Sequence, residues 1–366
     1  MKTILRTFVG CTAILFGTAC MGAVKYVPEN MKVELSLKVP GNNAVNYKLH
    51  PDKLENSYFD YEWRSDNKLP ITVFHKVEER DSCMRLTVQL TAAQDVYFNY
   101  RQLLSTGYRH DNCQFYMPGF WYRRNLRSPK KAPSFHTSDS WLVREDRLSA
   151  PLTGIFSEKE KRFMTVNRLD DFSMDALATH KEGEIILSGK TSLGFTGFEN
   201  QQGIAMLSFG FPYREAPKSY IRKLTLAPEV EAFQLMKKGE SVLLTWEIME
   251  SGADDFSDFI QNTWEHCYDT YAPKPVENSY SIADMKQVLS CFFVNSLVDN
   301  QPLVYNSGIH LKVSDCERNG QAEVGFIGRV LLNAFNAWEY GWQSNRKELK
   351  VNSTKIFDSY LKNGFT

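Results

Sequence analysis

One long irregular segment of the sequence, Gly107–Arg147, concentrates the side chains best suited to binding a ligand. Its candidate binding residues are Trp121, Tyr122, Arg123, Arg124, Asn125 and Trp141. Flat aromatic rings stack on the apolar C–H faces of a sugar ring, and guanidinium groups bind hydroxyls or carboxylates through planar hydrogen bonds. Long loops inside compact domains are commonly functional, and the aromatic content of this one argues against disorder. We therefore expect the segment to bind a carbohydrate ligand; the alternative is that these side chains only pack the loop onto a sheet.

Carboxyl groups for sugar hydrolysis are harder to assign. Hydrolysis of a glycosidic bond uses two carboxyl groups, one as acid and one as base or nucleophile. The candidates that follow strands or lie in loops are Glu145, Asp146, Asp170, Asp171 and Glu323. The alternative for each is a solvated or ion-paired carboxylate, and the arginines beside Glu145 and Asp146 favour that alternative because cations lower a carboxyl pKa. We assign no catalytic residue, and we expect Glu323 to contribute to substrate binding.

Several other kinds of site are disfavoured by spacing and charge. The seven histidines show no HxH or HExxH spacing, and the seven cysteines include no CxxC pair, so the sequence predicts neither a metal site nor a disulfide framework. There is no glycine-rich phosphate loop and no GxSxG motif, so we expect no cofactor. Lys and Arg together number 43, as do Asp and Glu, and this balance argues against a nucleic-acid partner.

The first residues have the pattern of an export signal. Lys2 and Arg6 are followed by an apolar run, Thr7–Phe16, that is too short to span a bilayer. We therefore expect residues 1–19 to be a signal peptide and the protein to reach the periplasm or outer-membrane surface of a Gram-negative bacterium. Cleavage before Cys20 would allow a lipid anchor on its thiol, which is then the expected link to a membrane. Ordinary cleavage at a nearby alanine is the alternative.

The elements that would position the binding loop are strands. Short runs of alternating apolar and polar residues recur from Lys32–Val39 to Ser241–Met249, and turn residues separate them. Because no helical period intervenes, the pattern predicts one large antiparallel β-sandwich of more than a dozen strands over residues 24–250. Aromatic residues make up 13% of the chain, which suits either sugar binding or an aromatic sandwich core.

The hydrophobic period changes near residue 252 from that of strands to that of helices. We expect a linker helix within residues 251–280, with an apolar face at three-to-four spacing formed by Phe256, Phe259, Ile260, Thr263, Cys267 and Tyr271. Residues 281–366 predict a second, helical domain. Its predicted helices are 282–297, with Met285, Val288, Leu289, Phe292 and Phe293 inward; 321–343, with Phe335 and Trp338 among the inward residues; and 353–361 behind a cap at Asn352 or Ser353.

Three segments carry a resemblance to a known family. They are Phe115–Tyr122, Trp141–Ser149 and the predicted helical segment Glu323–Arg329. With the order of sandwich and helices, the chain resembles exported, Bacteroidota-like six-hairpin (α/α)6-barrel glycosidases that carry an N-terminal galactose-mutarotase-like β-sandwich. The resemblance implies a large antiparallel β-supersandwich followed by the first helices of an (α/α)6 toroid. It also implies a glycoside hydrolase that acts on a polysaccharide or oligosaccharide.

The sequence departs from that family in the number of helices. A closed (α/α)6 barrel needs six helical hairpins, and this sequence supplies only the first few helices. In the family, the general acid and base usually come from later loops. We therefore expect an N-terminal portion of a glycoside hydrolase with an incomplete toroid, inactive as it stands. The alternatives are a non-catalytic exported glycan-binding protein and a structural domain without a role in sugar binding.

Overall fold

The computed structural model forms two compact units, one ending at Pro273 and the other beginning at Lys274. The structure describes residues 27–80, 83–170, 183–222, 224–275, 277, 279–295, 297–299, 301–305, 309–311, 316–318 and 330–363. The predicted signal peptide, Cys20, Asp171 and Glu323 lie outside the described residues. No helix within the described ranges is long and apolar enough to cross a membrane.

The first unit is built from strands. Within the described residues these are β1 (Met31–Lys38), β2 (Val45–Lys53), β3 (Tyr61–Arg64), β4 (Ile71–Glu79), β5 (Cys83–Ala92), β6 (Val96–Arg109), β7 (Cys113–Met117), β8 (Trp121–Arg123), β9 (Trp141–Arg144), β10 (Leu152–Ser157), β11 (Arg162–Arg168), β12 (Gly183–Ile186), β13 (Phe195–Gln201), β14 (Ile204–Phe211), β15 (Arg214–Arg222), β16 (Thr225–Met236) and β17 (Ser241–Gly252). The predicted large antiparallel β-sandwich of more than a dozen strands is confirmed. The toroid stays a prediction.

The strands form two layers. One layer runs β2-β1-β6-β14-β13-β9, and the other runs β3-β4-β5-β17-β11-β10-β7-β8, with antiparallel pairing throughout both. Strand β2 also pairs with β3 and so joins the layers. Strands β15, β16 and β12 extend the assembly, and β12 runs parallel to β16.

The main core fills the space between the two layers. Strand β5 illustrates this arrangement. Most of its side chains alternate between buried and partly buried positions, as expected when one face of a sheet meets the core. Aromatic contacts cross the gap, with ring centroids 5.2 Å apart for Phe209 and Trp246 and 4.0 Å apart for Phe115 and Phe198. The aromatic excess of the sequence is therefore largely explained by this core.

Helix α1 (Phe256–Tyr271) covers the outer face of the second layer. Asp255 caps its start by accepting hydrogen bonds from the backbone N–H groups of Ser257 and Asp258, at 2.7 and 3.0 Å. Phe259 is fully buried against β10 and β11, which explains why those two strands are buried on both faces. The predicted apolar face is confirmed for Phe256, Phe259, Thr263 and Cys267, whereas Tyr271 is substantially exposed.

The second unit contains three described helices. They are α2 (Ile282–Asn295), α3 (Val330–Gln343) and α4 (Lys347–Asn363). Two short strand pairs accompany them: β18 (Leu297–Val298) with β19 (Val304–Tyr305), and β20 (Ile309–Leu311) with β21 (Cys316–Arg318). Their core includes Tyr305, Ala334 and Ile356.

Three predictions for this unit need correction. Helix α4 begins at Lys347, six residues before the predicted start, so Ser353 lies inside the helix, where its hydroxyl is 3.1 Å from that of Tyr305. Val288 and Leu289 of α2 were expected to point inward but are mostly exposed, and Phe335 of α3 is about half exposed. An amphipathic period locates an apolar stripe, but it does not say whether another element covers that stripe.

Candidate functional site

The two tryptophans of the predicted binding loop are fully buried. Their ring centroids are 5.9 Å apart, and Trp121 packs edge-on against Phe198 at 5.1 Å. Each indole N–H donates to a backbone carbonyl of the loop itself, Trp121 to Arg123 at 2.8 Å and Trp141 to Ser138 at 3.1 Å. The expectation that these rings form an exposed stacking platform is therefore wrong in this structure, because neither presents a face to solvent.

Asn125 and Arg124 hold the loop in shape. The side-chain amide of Asn125 donates to the carbonyls of Phe120 and Pro133, at 3.3 and 3.2 Å, and its oxygen accepts from the N–H of Tyr122. Arg124 donates to the carbonyls of Cys113, at 3.2 Å, and of Asp111. The side-chain N–H groups of Asn125 and two of the guanidinium nitrogens of Arg124 are thus used on the backbone. These two residues shape the site and do not offer a free fork of donors.

The same loop nevertheless encloses a surface cavity of 610 Å³. It is lined by Gln114 and by the consecutive residues Tyr122, Arg123, Arg124, Asn125, Leu126, Arg127 and Ser128. Tyr122 is 51% exposed, and its ring lies 5.4 Å from that of Tyr116. The guanidinium of Arg123 lies 5.2 Å from the ring of Phe256. Four of the predicted binding residues are thus brought together at one cavity, two with exposed side chains and two as its scaffold.

Helix α1 contributes an aromatic surface that the sequence analysis missed. Trp264, Tyr268 and Tyr271 are 37%, 66% and 42% exposed. Their spacing of four and then three residues places them on one side of the helix. The indole N–H of Trp264 donates to the hydroxyl of Tyr116 at 2.7 Å, so Trp264 and Tyr122 contact the same tyrosine. We refer to Tyr122, Trp264, Tyr268 and Tyr271 as the aromatic face.

A second cavity, of 290 Å³, lies beside α1. It is lined by Ser149, Ala150, Pro151, Arg168, Leu169, Asp170, Trp264 and Tyr271. The hydroxyl of Tyr271 donates to the side-chain oxygen of Asn167 at 2.7 Å and to the carbonyl of Arg168 at 3.0 Å, which fixes the ring. One oxygen of Asp170 accepts from Arg168 and from the N–H of Thr245, at 3.0 and 2.9 Å. The cavity therefore combines two held aromatic rings with a carboxylate, an arrangement able to bind hydroxyl groups and an apolar ring face.

The carboxylates inside the binding loop are ion-paired. Glu145 is fully buried and accepts hydrogen bonds from Arg168 and from the N–H of Gly194, both at 2.7 Å. Burial raises the pKa of Glu145, and the Arg168 guanidinium opposes that rise. Asp146 accepts two hydrogen bonds from Arg144, at 2.9 and 2.7 Å. Both carboxylates are ion-paired, as the alternative foresaw, but the pKa of Glu145 is raised and not lowered, and its partner is Arg168 in place of the neighbouring arginines.

The signal that locates the aromatic face was present in the sequence. Three aromatic residues separated by four and then three positions define a helical stripe, and this stripe lies apart from the buried one that contains Phe259 and Thr263. We assigned Tyr271 to the inward face from its spacing alone. The contact between Trp264 and Tyr116 joins residues far apart in the chain, and no local pattern reports it.

No family model matches this sequence, and none of the curated proteins matches it. Solved structures with some similarity include a polysaccharide lyase, with 13% identity and a TM-score of 0.31, covering 64% of this chain and 27% of that protein. The GH36 α-galactosidase AgaB from Geobacillus stearothermophilus has 10% identity and a TM-score of 0.26, covering 60% and 30%. The protein Slr1438 from Synechocystis sp. PCC 6803 has 7% identity and a TM-score of 0.31, covering 59% and 73%. This chain thus spans less than a third of the lyase and of the galactosidase, and likeness at this level says nothing about what it binds.

Proposed function

We propose that the first unit binds a carbohydrate chain along the aromatic face and its two cavities. The observation that carries this proposal is the set of four exposed aromatic side chains, three of which line those cavities, in a unit whose four other tryptophans are buried. Exposed aromatic residues that cluster at a cavity are typical of ligand sites, whereas single exposed apolar residues scattered over a surface need no explanation. A sugar ring offers the apolar faces that such side chains contact.

Two side chains of the aromatic face are held in place before a ligand binds. Trp264 and Tyr271 are fixed by hydrogen bonds to Tyr116 and Asn167, so they lose little conformational freedom when a ligand arrives. From Trp264 to Tyr271 the helix rises by about 10 Å. A surface of that length suits an oligosaccharide or polysaccharide better than a single sugar.

Within this proposal, the chain is the sandwich-bearing N-terminal portion of a glycoside hydrolase that acts on a polysaccharide or oligosaccharide. The family resemblance noted in the sequence supports this finer proposal. A non-catalytic glycan-binding protein is the second candidate. It is favoured by the ion pairs of Glu145, Asp146 and Asp170 with arginines, because each of these carboxylates is already hydrogen-bonded to a guanidinium group, whereas hydrolysis needs two carboxyl groups directed at the glycosidic bond. Release of reducing sugar from a bound polysaccharide would favour the hydrolase, whereas binding without release would favour the second candidate.

Tyr268→Ala is expected to weaken glycan binding about two- to twelvefold, the effect of losing a stacking contact worth about 0.5–1.5 kcal/mol. Trp264→Ala is expected to weaken it further, since that ring lines the second cavity. The measurement is calorimetric titration with an oligosaccharide first identified on a glycan array. Tyr58→Ala is the matched control, because Tyr58 is equally exposed at 69% but lies outside the aromatic face. Unchanged affinity in both aromatic-face variants, or binding to no glycan, would refute the proposal.

We also propose that the protein is exported to the periplasm or outer-membrane surface, with a lipid anchor on Cys20. The charged and apolar pattern of the first residues supports this proposal, and these residues lie outside the described ranges. Cells fed an alkyne-labelled fatty acid are expected to label the parent protein and not Cys20→Ser. Cys113→Ser should label like the parent, because that cysteine is buried within the sandwich. Export of the parent protein without any label would contradict the lipid anchor and indicate ordinary cleavage of the signal peptide.

A further inference from the structure

Three side chains of the kinds that bind metals meet beneath helix α1. They are Cys83 at the start of β5, Glu247 on β17 and His266 on α1, and their ligand atoms all lie within 4.8 Å of one another. Cys83 and Glu247 are each 4% exposed, and His266 is partly buried. We refer to these residues as the Cys–Glu–His cluster.

The sheet register brings the first two residues together. In the antiparallel pairing of β5 with β17, Cys83 lies opposite Met249 and Arg85 lies opposite Glu247. Cys83 and Glu247 are therefore diagonal neighbours on the same face of the sheet. Helix α1 packs on this face and adds His266, whose Nε2 is 2.7 Å from Oε1 of Glu247.

The three side chains suit one metal better than others. A thiolate, an imidazole and a carboxylate are all ligands of Zn²⁺, with bonds of about 2.0–2.3 Å, and three protein ligands leave a fourth position open. Such bonds in a tetrahedral arrangement place ligand atoms about 3.3–3.8 Å apart. The ligand atoms of the cluster all lie within 4.8 Å of one another, and the hydrogen-bonded atoms of His266 and Glu247, 2.7 Å apart, must separate to reach this spacing. One thiolate and one carboxylate would also balance the charge of the ion, which offsets the free energy that desolvating the ion costs.

Neighbouring groups orient the carboxylate. The hydroxyl of Thr270 donates to Oε1 of Glu247 at 3.0 Å, and Nη2 of Arg85 lies 3.6 Å from Oε2. Partners of this kind fix the direction of a metal ligand and strengthen a site. Because Glu247 is held by these partners, the Cys83 sulfur and the His266 ring are the groups that must turn toward an ion.

We propose that Cys83, Glu247 and His266 bind one Zn²⁺ ion, which ties helix α1 to the sheet below the aromatic face. On binding, the thiol proton of Cys83 passes to solvent and a sulfur–zinc bond forms. The hydrogen bond between His266 and Glu247 is replaced by one bond from each to the metal, without change of oxidation state. No spacing in the sequence predicts the site, because its members come from three separate elements.

The test uses the whole chain, freed of metal by a chelator and titrated with zinc chloride. We expect one equivalent of Zn²⁺ to bind and the midpoint of thermal unfolding to rise, because the ion binds the folded state. Cobalt chloride in place of zinc is expected to give the charge-transfer absorption of a thiolate–cobalt bond. Cys83→Ser and His266→Gln are each expected to weaken zinc binding at least about 100-fold.

The matched control is Cys113→Ser, since Cys113 is another buried free thiol that starts a strand. It should bind zinc as the parent does. If one ligand variant fails to fold, the cobalt spectrum of the parent and the other variant still decide the outcome. Zinc bound well below one equivalent, no thiolate–cobalt band, or equal affinity in Cys83→Ser would overturn the proposal and leave the cluster as a hydrogen-bonded group.

Discussion

Replacing Phe259 by alanine is expected to lower the free energy of unfolding of the first unit by about 3–5 kcal/mol, the usual cost of removing a buried phenylalanine side chain. Phe259 is fully buried, and its ring centroid lies 4.9 Å from that of Phe163 and 6.0 Å from that of Phe156. These neighbours belong to rigid strands, so they cannot close the cavity that the ring leaves. Urea unfolding followed by circular dichroism measures the loss.

A glycine beneath the ring supplies an internal check. A Cβ atom added to Gly154 would lie 2.5 Å from Cζ of Phe259. Gly154→Ala alone should therefore destabilise the unit, whereas in the Phe259→Ala background the same methyl group partly fills vacated space. We expect the double variant to be more stable than the sum of the single effects predicts, by about 1 kcal/mol or more. Gly252→Ala is the control, since its nearest contact is an ordinary 3.7 Å. Strictly additive effects would show that Phe259 does not pack on Gly154.

This packing matters for the candidate site as well as for stability. Helix α1 presents Trp264, Tyr268 and Tyr271 on one side and buries Phe259 on the other. Most of the stability of such a helix comes from the packing of its apolar face. Phe259→Ala is therefore expected to weaken glycan binding too, although Phe259 belongs to the buried side of the helix and not to the aromatic face.

The sandwich was predictable because its signal is local. Alternation along strands such as β5 reports one buried face, and the absence of a helical period before residue 252 excludes interleaved helices. The change of period then marks α1. What the sequence could not give is the pairing order of the strands, because contacts such as Phe115 with Phe198 join distant parts of the chain.

The candidate site was predicted in part for the same reason. The loop around Tyr122 stood out by composition, and it does line a cavity. Composition does not separate exposed rings from buried ones, so Trp121 and Trp141 were wrongly expected at the surface. Their burial depends on Phe198 of β13, a partner that no spacing within the loop reveals.

The second unit shows the limit of helical patterns. Its apolar stripes were found, but within the described residues Val288 is mostly exposed and Phe335 about half exposed. The start of α4 was placed too late because Ser353 resembles a capping residue. In the structure Ser353 lies inside α4, and its hydroxyl forms a hydrogen bond with the hydroxyl of Tyr305 on β19. This contact forms only when the unit packs.

A buried histidine in the sandwich core makes stability sensitive to acid. His75 is fully buried, with Nε2 2.7 Å from the hydroxyl of Tyr100 and its ring centroid 5.1 Å from that of Trp63. Burial lowers the pKa of His75 from 6.5 to about 3, because a charged imidazole would lose its hydration there. As the pH falls, the unfolded chain therefore takes up the proton before the folded protein does. The stability that depends on neutral His75 is complete above pH 6.5 and is lost progressively toward pH 3.

We expect this loss to reach about 3 kcal/mol by about pH 4, from about 1.4 kcal/mol for each pH unit within the window. His75→Gln should remove that part of the pH dependence, because glutamine keeps a hydrogen-bonding group near Tyr100 and does not titrate. His50→Gln is the matched control and should retain the slope of the parent protein, since His50 lies exposed on β2. Urea unfolding of the three proteins at several pH values between about 7 and 4 measures the slopes. Equal slopes for the parent and His75→Gln would mean that other groups dominate the acid response, because only a histidine kept neutral by the fold can make the two proteins differ.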